Sequence, residues 1–302
     1  MNVPATSALP VVVFGGTGFV GAAVVRRLLE AGYRVRVAAR HPGPDQHGGP
    51  GGPIEYCCTD VRDEPQVRAA MQGVGGVVNA VGMYVERAGE RFVDVHVKGA
   101  ERVARLAAAG ASRLIHVSGL GVDARSPSAY VRARAAGEAA VRAAFPAATI
   151  LRAGVLFGPG AAFLAGVRNA TALPVVPLFG HGATRLQPVH VDDIAAAVEA
   201  VLRGGRTGVY ELGGSGTYCY RQIVRAILAT DGRRRLLLPL PSFAWRLLAT
   251  LVSALPNPPL TRDQVILMRH DNTVGGSAMT FADLGIHPYS LAAELPALAE
   301  FH

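Results

Sequence analysis

A chain of 302 residues, half of them hydrophobic, can bury a full core as one large domain or as one domain with a lobe. Its formal net charge is +8, but the basic residues are scattered and Lys98 is the only lysine. The one dense run, Arg233-Arg234-Arg235, lacks the interleaved aromatics of a nucleic-acid surface, and no apolar segment reaches membrane-spanning length; nucleic acid and a transmembrane helix are therefore excluded as expectations.

The first strand is expected at Val11-Val12-Val13-Phe14, beginning by about Leu9, which leaves no room for a signal or transit peptide. It feeds into Gly15-Gly16-Thr17-Gly18-Phe19-Val20-Gly21, and a helical pattern of Ala22, Ala23, Val24, Val25, Leu28 and Leu29 follows. Strand, tight turn and helix are the opening of a dinucleotide-binding βαβ unit. Gly15 lets the chain turn off the strand, and Gly18 leaves room for a pyrophosphate at a helix N-terminus. Gly21 lets the helix lie close. Gly15, Thr17, Gly18, Phe19, Val20 and Gly21 are thus the expected phosphate-binding stretch.

The second strand, over residues 33–40, ends without the carboxylate that accepts ribose hydroxyls in NAD-binding versions. Arg40 stands there instead, and a guanidinium suits a 2′-phosphate. NADP(H) is the expected cofactor, with NAD(H) as the alternative. After a Gly/Pro-rich loop over 41–53, Ile54-Glu55-Tyr56-Cys57-Cys58 reads as a third strand closed by Asp60-Val61. Cys57, Cys58 and Cys219 show no CxxC spacing and are expected to be reduced, small core residues. The nine histidines show no ligand spacing, so no metal site is expected. A fourth strand is expected over 76–82, a helix over 95–109, a fifth strand over 113–118, a helix from about Ala129 to Phe145-Pro146, and a sixth strand over 148–152. This alternation marks an α/β chain with a doubly wound parallel sheet.

Beyond Gly160 the rhythm breaks. Residues 173–182 read as a loop, and Asp192-Asp193 lead into a helix from Ile194 to about Leu202. Residues 208–212 read as a strand, and the remainder is helical and proline-punctuated. The expected division is a dinucleotide-binding domain over 1–170, with 186–214 returning to it. A small, mostly helical C-terminal lobe then spans 215–302, with 171–185. Residues 242–254 form an apolar helix whose only charge is Arg246; the core of the small lobe is the favoured reading, with a membrane-surface or partner-docking helix as the alternative. Asp192-Asp193 are read as helix-terminus acids rather than a catalytic pair.

Ser118-Gly119-Leu120-Gly121, followed by Tyr130-Val131-Arg132-Ala133-Arg134, resembles the Ser…Tyr-x-x-x-Lys constellation of the short-chain dehydrogenases/reductases. Tyr130 and position 134 lie one helical turn apart on one face, so the cation there can lower the phenol's pKa and hold a ribose. The resemblance implies catalytic roles for Ser118, Tyr130 and Arg134, and cofactor contacts from the same three. Arg134 departs from the family's lysine: it is cationic but takes no part in a proton relay.

Over nearly the whole chain the sequence is similar to one atypical branch of that family: the nucleotide-binding accessory subunit of complex I and its bacterial homologues. The residues that carry this are Arg185-Leu186-Gln187-Pro188-Val189-His190-Val191-Asp192-Asp193, Pro239 to Arg246, Leu260-Thr261-Arg262-Asp263-Gln264-Val265, Asp271-Asn272 and Asp283-Leu284-Gly285-Ile286. Membership implies a Rossmann core holding NADP(H), often as a structural element, with a respiratory-complex or quinone-biosynthesis partner. It also implies that Asp60 and Val61 flank the adenine, Asn79, Ala80, Val81 and Gly82 line the cleft, and residues 154–158 cap the nicotinamide side. A cytoplasmic protein, peripheral to the inner membrane, is the matching location. Two readings stay open: a structural or regulatory nucleotide, and a free-standing NADPH-dependent oxidoreductase or epimerase acting through Tyr130 on a carbonyl or quinone-type substrate.

Overall fold

The computed structural model describes residues 9–42, 53–87, 89–252 and 260–299. Most of the Gly/Pro-rich loop, and the last two positions of 242–254, lie outside the described residues. The first half runs β1 (Val11–Phe14), α1 (Phe19–Glu30), β2 (Val35–Ala39), β3 (Ile54–Cys58), α2 (Glu64–Ala70) and β4 (Gly76–Asn79). A π-helical segment, Val93–Gly99, then leads into α3 (Ala100–Ala107), β5 (Arg113–Gly119) and α4 (Ala129–Ala144). The second half runs β6 (Thr149–Ala153), β7 (Leu156–Phe157), α5 (Ala162–Thr171), β8 (Val175–Phe179), β9 (Arg185–Leu186), β10 (Val189–His190), α6 (Val191–Gly204) and β11 (Gly208–Leu212). It closes with β12 (Tyr218–Cys219), α7 (Tyr220–Thr230), β13 (Leu236–Leu240), α8 (Ser242–Val252), α9 (Arg262–Leu267) and α10 (Leu291–Ala299).

Seven strands form one parallel sheet in the order β11-β6-β5-β4-β1-β2-β3. Strand alternation sends Val11 and Val13 to the face covered by α1 and α6, where Val24, Leu28, Ile194 and Val198 are buried. Val12 and Phe14 go to the face covered by α2, α3 and α4, with Val67, Val103 and Val141. Burial on both faces is why β1 is apolar at every position. The order reverses between β1 and β4, and a crevice opens beyond the carboxyl ends of these strands.

Four features differ from the sequence reading. Residues 173–182 contain a strand: β8 pairs in parallel with β13 as a two-stranded ribbon. Pro177 and Pro239 are tolerated there because each strand has only one partner among the described residues. Helix α6 begins at Val191, three residues early. The His190 side chain accepts from the Asp192 N–H at 3.2 Å and caps it, placing Asp192 and Asp193 inside the first turn. The cysteines are not core: Cys58 is exposed, and Cys57 and Cys219 are half-buried. The first two lie on β3, an edge strand with one neighbour.

The fourth difference concerns α8, which is not lobe core. Only Trp245 and Ala249 are buried. The Trp245 indole stacks on Phe179 at 4.1 Å and donates to the Leu178 carbonyl at 2.9 Å, pinning one face of the helix to β8. The opposite face carries Phe243, Leu247, Leu248 and Leu251, all exposed. A separate apolar cluster joins α5, α7, α10 and β8 through Leu164, Val167, Leu178, Ile223 and Leu295.

Candidate functional site

The glycine turn after β1 has the geometry its spacing calls for. Gly15 takes a positive φ of 74°, and a Cβ at Gly21 would stand 2.0 Å from the Gly15 carbonyl oxygen, so α1 can approach the turn only without a side chain there. Gly18 is the N-terminal flanking residue of α1, which has neither a side-chain cap nor an acid in its first turn. Its leading N–H groups therefore have no capping side chain among the described residues.

Gly15, Thr17 and Gly18 line one side of this crevice, Arg40 and His41 the end of β2, Asp60, Val61 and Arg62 the segment after β3, and Ala80 to Met83 the segment after β4. Of the other residues read as cofactor contacts, Phe19, Val20 and Gly21 lie behind the turn in α1. Asn79 is buried, its side chain accepting from the Val81 N–H at 3.2 Å and so shaping the turn that exposes Ala80 to Gly82.

The polar end of the crevice is a network that the sequence did not reveal. Arg40 pairs with Glu90, and Arg62 pairs with Asp60 at 2.6 Å and lies 3.7 Å from Glu90. The Arg62 hydrogen bonds hold the Asp60 carboxyl below its ordinary range, outweighing the opposing effect of burial. Arg62 stands only two residues past Asp60, so a basic residue beside the expected adenine contact was a readable signal. Glu90, fifty positions from Arg40 in sequence, was not.

A second cluster lies where α4 faces the ends of β4 and β5. The Arg134 guanidinium donates to the Tyr130 hydroxyl at 3.1 Å and to the Val117 carbonyl at 3.4 Å. It reaches the crevice wall, since a Cβ on Gly82 would lie 4.0 Å from its Nη1. Tyr130 is only 6% exposed. Tyr84 stacks over its ring at 5.2 Å, and Phe92 and His96 meet it edge-on at 5.5 and 5.6 Å.

Burial dominates the electrostatics here. It raises the Tyr130 phenol above its ordinary range despite the adjacent guanidinium, the reverse of the lowering expected from a neighbouring cation. Burial, reinforced by Arg134, lowers His96 to about 4 and His116 to about 3, so both imidazoles are neutral near pH 7. His96 Nε2 donates to the Met83 carbonyl at 2.9 Å.

Three polar atoms around this cluster are buried without a partner among the described residues: Ser118 Oγ, His116 Nδ1 and Arg134 Nε. Together with the uncapped α1 and the glycine turn, they fit a dinucleotide. The turn would take its phosphates, and the unpaired donors around Gly82 and Gly119 would take hydroxyls of its second ribose.

The C-terminal segments clamp α4. Ser128 caps the helix by accepting from the Val131 N–H at 3.2 Å, and its own hydroxyl donates to Asp263. Asp263 is fixed by a capping box in which Thr261 and Gln264 satisfy each other's backbone N–H groups. Gln187 and Asn272 tie the C-terminal segments to the loops around β6 and β11. Gln187 accepts from Val274 N–H at 3.1 Å and donates to the Gly214 carbonyl at 2.9 Å, while Asn272 accepts from Val155 N–H at 3.0 Å.

A parallel sheet with a glycine turn at its reversal point, and a buried Tyr-x-x-x-cation pair beside it, define a dinucleotide-binding protein of the extended short-chain dehydrogenase/reductase type. Residues 11–213 match the NAD dependent epimerase/dehydratase family, and the chain belongs to it. It is 32% identical to the mitochondrial NADH dehydrogenase (ubiquinone) 1 alpha subcomplex subunit 9 of Arabidopsis thaliana, over 94% of this chain and 76% of that one. It is also 32% identical to a ceramide reductase of Caulobacter vibrioides, over 76% and 73%. Among solved structures, DesIV, a dTDP-glucose 4,6-dehydratase from Streptomyces venezuelae with NAD and TYD bound, shares the fold with a TM-score of 0.71 at 22% identity, over 97% and 96% of the two chains. Among the described residues no helix is long and apolar enough to cross a membrane.

Proposed function

We propose that this protein holds NADP(H) in the crevice between β1 and β4 mainly as a structural or regulatory element, and serves a respiratory or quinone-related assembly as a cytoplasmic protein peripheral to the inner membrane. The observation that carries the reading is the closure of the second cluster. Tyr130 is buried under Tyr84, its hydroxyl is engaged by Arg134, and burial holds its proton in place. Arg40 and Arg62, with no acid in β2 itself, support the phosphorylated dinucleotide, whose 2′-phosphate would take the place of Glu90 beside Arg40, over NAD(H). Gly15, Thr17 and Gly18 would hold the pyrophosphate, Asp60 and Val61 the adenine side, and Ser118 and Arg134 the ribose next to the nicotinamide. Likeness to a complex I subunit along almost the whole chain supports a partner of that kind.

A second reading, a free-standing oxidoreductase or epimerase, is favoured by the relative named as a ceramide reductase. When bound, the nucleotide would supply or accept a hydride. Tyr130, protonated at neutral pH, would give its hydroxyl proton to a substrate carbonyl oxygen once Tyr84 moves aside, with Arg134 stabilising the phenolate left behind. Because Arg134 does not deprotonate, that proton would return from solvent or substrate.

The decisive experiment is calorimetry of NADPH and NADH binding to the wild type and Arg40→Ala. NADPH should bind at least about tenfold more tightly than NADH, about 1.4 kcal/mol, and the preference should vanish in the variant. Equal affinities, or a preference that survives in Arg40→Ala, would refute the assignment.

A further inference from the structure

Helix α8 is held by one face and bare on the other. Phe243, Leu247 and Leu251 follow at intervals of four, which places them on one stripe, and they are 65%, 61% and 67% exposed. Leu248 widens the stripe, and Arg246 and Thr250 border it. Soluble surfaces carry isolated apolar residues freely, but a continuous stripe of this length needs a partner. The strand that leads into the helix has the same character. On β13, Leu236 and Leu238 share one strand face, and Leu236 is paired with Val175 of β8; all three are exposed.

Along the segment that builds this surface the charge has one sign. Between Asp231 and Asp263 the sequence holds five arginines, Arg233, Arg234, Arg235, Arg246 and Arg262, and no aspartate or glutamate. All five are exposed, and Arg262 reaches across to donate to Thr250 on α8 at 3.3 Å. Elsewhere arginines are interspersed with carboxylates and several pair with them, as in Arg27–Glu199, Arg36–Glu55 and Arg152–Glu138. Exposed guanidinium groups with no carboxylate partner among the described residues, bordering aliphatic side chains, match an anionic headgroup layer above hydrocarbon.

We infer that α8 and the exposed face of β13 form a docking surface for a membrane containing anionic phospholipid. The helix lies in the plane of the interface, with Phe243, Leu247 and Leu251 in the acyl boundary and the arginines among the phosphates. Trp245 and Ala249 stay on the protein side and transmit the attachment through β8. Docking through this face is independent of what the crevice holds.

The test is sedimentation of the full chain with phosphatidylcholine vesicles made with and without phosphatidylglycerol. The protein should pellet with the anionic vesicles at least about tenfold more strongly than with the neutral ones, and high salt should weaken the binding. The double variant Leu247→Glu/Leu251→Glu should lose about tenfold or more of the binding, since both side chains are already exposed and their replacement removes only the burial gained at the membrane. Its thermal melt, matched to the wild type, verifies the fold. A second variant, Arg233→Gln/Arg234→Gln/Arg235→Gln, should erase the preference for anionic lipid.

No pelleting, equal pelleting with both lipids, or pelleting unchanged in the double variant would overturn the inference. So would light scattering showing a wild-type dimer that the double variant dissolves, because a second copy of the chain would then cover the face.

Discussion

Tyr130→Phe removes one oxygen from a cavity walled by Tyr84, Phe92 and His96, and the consequences can be worked from its partners. The ring contacts remain. What is lost is the acceptor for Arg134 Nη1 at 3.1 Å, on a guanidinium whose Nε already lacks a partner among the described residues. Leaving a second buried donor unsatisfied costs about 1–3 kcal/mol, offset in part because the phenol no longer has to be desolvated. A net loss of about 1–2 kcal/mol corresponds to a fall in Tm of roughly 1.5–3 °C for a chain of this size. Differential scanning calorimetry reads the stability, and NADPH consumption across a panel of ketones, aldehydes and quinones reads the chemistry. Under the structural reading, NADPH affinity is nearly unchanged and neither protein turns over. An unchanged or higher Tm would refute the dependence of Arg134 on the phenol. Wild-type turnover that drops about 10²–10⁴-fold in the variant would refute the structural-nucleotide reading.

Gly18→Val should abolish nucleotide binding in titration calorimetry while the protein stays folded. Gly18 has an ordinary φ of −77°, and a Cβ there meets only the Gly15 oxygen at 3.2 Å, so the branched side chain fills the phosphate space rather than the core; wild-type affinity would disprove that placement. Burial lifts the Asp193 carboxyl from 3.8 to about 6, so the fold favours its protonated form. That contribution is full below about pH 4 and lost as pH rises through 6. Asp193→Asn should therefore be near neutral at pH 4 and stabilising by about 2–3 kcal/mol at pH 8, and equal shifts in urea denaturation at both pH values would contradict it. Ser128→Ala should cost about 2–4 kcal/mol, from the lost cap and the lost bond to Asp263. Asp263→Asn, which keeps an acceptor, should cost less, and the reverse ranking in denaturant titrations would sink the account of the clamp.

Much of the sheet was legible because its signals are local. The run of Val11 to Phe14, the glycine turn and the alternation of strand and helix each depend on neighbours within a few residues. The ribbon of β8 and β13 was hidden by Pro177, Pro239, Gly180 and Gly182, which read as loop unless the strands are known to lie at an edge. Helix α2 had a readable start, Asp63 capping the Gln66 N–H at 3.0 Å, but its seven residues carry too short a period to stand out. The crevice was legible from the glycines and from Arg40. Its polar network was only half so, because Glu90 reaches Arg40 through tertiary folding. The direction of the Tyr130 shift was not legible at all: spacing reveals the neighbouring cation, whereas the burial that outweighs it is set by Tyr84, Phe92 and His96 from other segments.

The bond between Ser128 and Asp263 spans 135 residues, and this imposes an order of events during synthesis. At about 5–20 residues per second, Asp263 leaves the ribosome roughly 7–27 s after Ser128. Through that interval α4 has its own hydroxyl cap but not the carboxylate that fastens it. The wall carrying Tyr130 and Arg134 is therefore finished late, by the lobe, after the glycine turn and the sheet strands through β11 have all emerged. A nascent chain paused before Thr261 therefore has α4 in place without the Ser128–Asp263 bond that fastens it.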